Sequence, residues 1–139
     1  MNKWTLAFGI IGLLLCSSIS LASTPADGIK SSLVSAREKL LAMLEAPDAG
    51  SMDKLQGEIA KASKAIDTSL STALADKSAP QDKYKEFKAI WEQFRKTRDA
   101  ELIPALRAGK KDEAKAIAKG VQAERYAKMQ ALLTALGAK

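Results

Sequence analysis

Apolar side chains recur at alternating steps of three and four in four successive stretches of this chain, and proline or glycine separates each stretch from the next. That period belongs to the α-helix, which lines such positions along one face. A chain patterned this way throughout must bury four amphipathic faces against one another. The first stripe is Ile29, Leu33, Ala36, Leu40 and Met43 or Leu44; the second is Leu55, Ile59, Ala62, Ile66, Leu70 and Ala73 or Leu74. The third runs Tyr84, Phe87, Trp91, Phe94, is interrupted by Arg98, and resumes at Leu102 and Ala105 or Leu106. The fourth is Ala114, Ala118, Val121, Arg125, Met129, Leu132 and Leu136.

The breaks set the boundaries. A polar lead-in containing Pro25 precedes the first helix, and Pro47 and Gly50 end it. Ser51 is a suitable N-cap for the second helix, with Asp53 near the positive end of its dipole. Pro80 suits the first turn of the third. Pro104, inside that helix, removes one backbone hydrogen bond and should bend the last turn, and Gly109 is the expected left-handed C-cap. Helices are therefore expected over about 27–45, 51–75, 80–108 and 111–136. Short connections make consecutive helices antiparallel neighbours. The expected fold is all-α: an up-down-up-down antiparallel four-helix bundle over residues 23–139, with no second domain.

Residues 1–22 read as a signal peptide. Lys3 supplies the positive end, Leu6 to Leu15 the apolar core, and Ser20-Leu21-Ala22 a small-x-small site for cleavage after Ala22. Leu15 stands where a lipid-modification box at Cys16 would need a small residue. A second reading stays open, an uncleaved inner-membrane anchor through residues 4–22. Cleavage implies a periplasmic protein, removes the lone cysteine, and takes the net charge from +6 to +5 by loss of Lys3. The remaining basic excess is spread along every helix, as on a solvated surface, and does not form a nucleic-acid footprint.

Composition narrows the chemistry. Histidine is absent, which removes the commonest general base, metal ligand and haem ligand together. No catalytic residue, metal site or cofactor is expected: there is no haem attachment motif and no glycine-rich phosphate loop, and the methionines fit core packing. Lys110, Lys111 and Lys115 alternate with Asp112 and Glu113 as at a solvated helix start.

Arg98 is the informative oddity, a charge at a stripe position between Phe94 and Leu102. Reflecting the helices about their turns sets it beside Glu58 or Ile59 on one side and Val121 or Gln122 on the other. A polar layer of Arg98, Glu58 and Gln122 would then cross the bundle, with Arg95 and Glu124 nearby. Arg98 has two readings: a structural arginine snorkelling outward to Glu58, Glu101 or solvent, or a fork for a ligand carboxylate or phosphate. Arg125 has the same two readings. Trp91 is either a core plug or a platform beside Arg98. The candidate ligand-binding set is Arg98, Arg95, Trp91 and Arg125.

Residues 80–125 resemble the periplasmic four-helix-bundle sensor domain of methyl-accepting chemotaxis receptors. The similarity lies in Trp91, Phe94, Arg95, Arg98 and Asp99, then Leu102, Ile103, Ala105 and Leu106 approaching Ala108-Gly109-Lys110, with Asp112-Glu113-Ala114 opening the next helix. The resemblance implies an up-down-up-down bundle that dimerises and binds small ligands at its membrane-distal dimer interface, some members holding ligand carboxylates with arginines. Receptors of this kind continue into a second membrane span and a cytoplasmic coiled coil, whereas this sequence stops at Lys139. The expectation is a stand-alone, exported, non-enzymatic module that binds a small acidic ligand or a membrane receptor or sensor partner, as a homodimer. The alternatives are a periplasmic chaperone or stress-response bundle, which would need a large exposed apolar face, and a cofactor-bearing carrier.

Overall fold

The computed structural model describes residues 23–139. The expected signal peptide, its anchor alternative and Cys16 lie outside the described residues. The first helix, α1 (Pro25–Leu44), starts two residues earlier than the apolar stripe implies. Thr24 and Asp27 form a capping box: the Thr24 hydroxyl accepts from the Asp27 N–H at 3.2 Å, and the Asp27 carboxylate accepts from the Thr24 N–H at 2.8 Å. Helix α2 (Ala49–Ala75) also starts early, because Asp48 and not Ser51 is its cap; Asp48 accepts from the Ser51 N–H at 2.7 Å. A carboxylate three residues ahead satisfies the free donor that Ser51 itself presents.

The third and fourth expected helices are each interrupted. Helix α3 (Gln81–Thr97) passes into a π-helical turn, Arg98–Leu102, and then α4 (Ile103–Arg107). In the π turn the Ile103 N–H reaches back five residues to the Arg98 carbonyl. Pro104 accounts for it. Its ring would crowd the carbonyl four residues earlier, at Ala100, and it has no N–H to offer, so the wider turn ahead of it relieves both faults. The irregularity therefore falls one turn earlier than a bend at the helix end. Gly109 has φ +76°, the left-handed stop expected there.

The last helical stretch is split into α5 (Lys111–Lys119) and α6 (Val121–Ala135). At Gly120 the backbone leaves the helical region, with φ −91° and ψ −113°. The break shifts the buried face: Gln122 is fully buried, whereas Val121, placed in the stripe by its spacing, is 40% exposed. In α2 the stripe similarly passes through Ser63, not the half-buried Ala62.

The assembled architecture is all-α, an antiparallel four-helix bundle. Helix α1 packs along α2, α3 contacts α2 and α6, and α1 closes the ring against α5 and α6. Leu33, Leu40, Met43, Ile59, Ile66, Phe87, Trp91, Phe94, Leu106 and Met129 are all shut away from water in one continuous core. Burial of each such side chain contributes about 1.5–3 kcal/mol. The two ends of the bundle chain meet, since the Lys139 N–H donates to Asp27 at 2.8 Å. Among the described residues no helix is long and apolar enough to cross a membrane.

Candidate functional site

Polar side chains gather where the helices are irregular, on the α2–α3 side of the bundle. Trp91 fills the core, 1% exposed, and stacks on Phe94 with ring centroids 5.8 Å apart. Its indole Nε1–H reaches the surface side and donates to Asp67 Oδ1 at 2.9 Å. A buried indole keeps its one donor satisfied this way. Arg95, one turn further along α3, donates from Nη1 to the other oxygen of Asp67 at 2.7 Å and lies 5.8 Å from the Trp91 ring centre. Asp67 thus ties the core plug to the surface arginine.

Arg98 is 5% exposed and fully engaged. Nε and Nη2 grip the two oxygens of Asp99 at 2.7 and 3.1 Å, and Nη1 donates to Ser63 Oγ at 2.9 Å. Its guanidinium carbon is 6.0 Å from the Trp91 ring centre. Neighbours one residue apart on an α-helix do not face each other; here the pair lies at the start of the π turn, and the long Arg98 side chain reaches the adjacent carboxylate. The arginine therefore neither reaches out to Glu58 or Glu101 nor stays free in the groove.

The expected polar layer forms with different members. Glu58 does not join it: it pairs with Lys39 at 3.0 Å on the outer face of α1 and α2. The reason is register. Trp91 meets Asp67, Arg98 meets Ser63, and Arg107 meets Asp53 and Gln56, so α2 and α3 fold back about Pro80 and not about the middle of the turn. Gln81 secures that turn by donating to the carbonyls of Ala73 and Asp76. Gln122 is fully buried and donates to the Phe94 carbonyl at 2.9 Å. Glu124 is exposed.

Arg125 belongs to a different seam. Its Nη1 donates to Thr97 Oγ1 at 2.7 Å, across the α3–α6 contact. Of the four candidates, the fold thus gathers Trp91, Arg95 and Arg98 and leaves Arg125 apart. Ser63 and Asp67 join the site without having been singled out, and Asp99, noted only for the resemblance, joins them. Ser63 carried a faint signal, a hydroxyl beside the apolar stripe; Asp67 carried none, since exposed carboxylates are common on such helices.

Around Arg98 the α2–α3 surface forms a cleft of about 320 Å³ lined by Ser63, Lys64, Asp67, Arg95, Arg98 and Asp99 together with Gln56, Ile59, Ala60 and Ile103. Beyond the Arg95–Asp67 bridge a second cleft of about 270 Å³ continues along Leu70, Leu74, Lys88 and Trp91. Three cations face two carboxylates in the first cleft, a balance of +1. Among the described residues no group of three or more carboxylates is arranged to hold a metal ion.

The architecture is an antiparallel helical bundle with polar groups lining a groove between α2 and α3. The chain belongs to the family of the four helix bundle sensory module for signal transduction, whose model matches residues 25–138. The likeness to chemotaxis-receptor sensor domains, carried in the sequence by residues 80–125, thus spans nearly all of the described bundle. No curated protein and no solved structure gave a significant match.

Proposed function

We propose that the chain is an exported, non-catalytic sensory module that takes a small acidic ligand in the α2–α3 groove and works in the periplasm as a homodimer with a membrane-bound signalling partner. Arg98 and Arg95 are the anchors for the ligand's charge, and Trp91 is the wall behind them. The observation that carries this reading is the groove itself, a cleft of +1 balance lined by Arg95 and Arg98, whose guanidiniums lie 5.8 and 6.0 Å from the buried Trp91 ring centre, within a sensory-family fold. Arg125, on the far side of α3, serves the packing of α6. The client-binding alternative needs a broad apolar face. The exposed large hydrophobics among the described residues are Leu41 and Val121, at 38% and 40%, which favours the ligand reading.

Thermal unfolding of the full chain with acetate, succinate, citrate and inorganic phosphate tests the proposal. A ligand at one hundred times its Kd should stabilise the native state by about 2.7 kcal/mol. Arg95→Ala should abolish the shift without unfolding the protein, because Arg95 is half-exposed and its ion pair is of the kind worth about 0–1 kcal/mol. A panel that leaves the transition unmoved overturns the reading. Export is tested separately by the N-terminal mass of protein from a periplasmic extract, which should begin at Ser23; protein retaining residues 1–22 in the membrane fraction contradicts cleavage.

A further inference from the structure

Asp99 sits where a guest would. Its two oxygens cover the Nε and Nη2 edge of Arg98, the edge with which a guanidinium forks a carboxylate. Arg98 is almost wholly buried, and its remaining nitrogen is occupied by Ser63. The Asp99 side chain is 54% exposed, so it has room to swing into water while the buried arginine stays in place to meet an incoming carboxylate. The pair lies at the start of the π turn, a geometry that helices seldom adopt and that recurs at functional sites.

We propose that Asp99 is a tethered competitor for the anion seat of Arg98, and that a small carboxylate enters the α2–α3 groove by displacing it. This deepens the proposed function and rests on it. An internal carboxylate that fills the seat most of the time lowers the apparent affinity by the fraction of time the seat is vacant. The groove would then respond to high ligand concentrations and ignore traces.

Calorimetric titration of the full chain with acetate, succinate, citrate and inorganic phosphate separates the two proposals. Asp99→Asn should bind the carboxylates about tenfold more tightly than the wild type, the gain expected if the seat is vacant about one-tenth of the time. Asp99→Glu, which restores a tethered carboxylate, should return towards wild-type affinity. Glu101→Gln removes the same charge two residues away without touching Arg98, and should leave affinity unchanged. Should Asp99→Asn fail to fold, Asp99→Ser carries the same expectation. Wild-type binding that Asp99→Asn and Asp99→Ser do not tighten overturns the competitor and leaves the ligand reading standing. An equal gain from Glu101→Gln also overturns it, since general charge would then explain the effect. Phosphate binding without carboxylate binding overturns the carboxylate assignment. If no probe binds either wild type or variant, both proposals fall.

Discussion

Asp27 shows how much one side chain can hold. It caps α1 through Thr24 and receives the Lys139 N–H, so it joins the beginning of the bundle to its end. The hydrogen bonds from Lys139 and then Thr24 lower its pKa from 3.8 to about 2. A carboxylate with a depressed folded pKa contributes stability that is fully present above the unfolded value and is lost as pH falls through the folded one. The gap in melting temperature between wild type and Asp27→Asn should therefore be widest above about pH 4 and close as pH falls towards about 2. A gap that stays constant over that range would contradict the capping role. Glu45, Asp48, Glu58 and Asp76 are lowered too, by Lys115, Ser51, Lys39 and Ser78 respectively. Acid should loosen caps and surface pairs together.

The elements differ in how they tolerate change. A Cβ added at Gly57, inside α2, meets nothing within 4 Å. A Cβ at Gly120 would lie 2.9 Å from the Ala116 carbonyl, which belongs to the backbone and cannot swing aside. Gly57→Ala should accordingly stabilise the protein by about 0.4–1 kcal/mol by restricting the unfolded chain. Gly120→Ala should destabilise it by about 1–3 kcal/mol, the usual cost of forcing atoms into a filled space. Chemical denaturation of the two variants checks both signs at once. The break also explains Arg37, whose Nη2 donates at 2.9 Å to the Ala118 carbonyl near the end of α5 and whose guanidinium lies over the Tyr126 ring. Helix ends expose carbonyls, and a cation is the natural cap for them.

For the molecule as a whole, the core of the described residues 23–139 is continuous, and their two ends meet where the Lys139 N–H donates to Asp27. A chain beginning at Ser23 is expected to unfold in a single transition, with the same midpoint by far-ultraviolet circular dichroism and by Trp91 fluorescence. Two separated midpoints would mean that the halves on either side of the π turn and Gly120 melt independently. Those two irregularities sit at one level, where Gln122 spans from α6 to the Phe94 carbonyl and Arg125 reaches Thr97. The polar belt there ties α6 to α3 by hydrogen bonds, so the halves should melt cooperatively.

The sequence by itself determined the helices, their antiparallel order and the aromatic spine, because a 3.6-residue apolar period and the Pro and Gly breaks act locally and need no partner to be read. Tyr84, Phe87, Trp91 and Phe94 are buried as their spacing requires. The resemblance carried by residues 80–125 likewise led to the family matched over 25–138. Register was another matter. A shift of a few residues between α2 and α3 exchanged Glu58 for Ser63 beside Arg98, and no local pattern encodes where two helices fold back on each other. The π turn has a local cause in Pro104, whose effect falls one turn earlier than a simple bend, whereas the break at Gly120 left no mark in the apolar spacing. At the Gly120 break the Ala118 carbonyl is met by the distant Arg37, and beside the π turn the Arg98 side chain is held by the distant Ser63. The site followed register and backbone irregularity, so Arg98 was visible as an anomaly while its partner Asp99, the adjacent residue, was not.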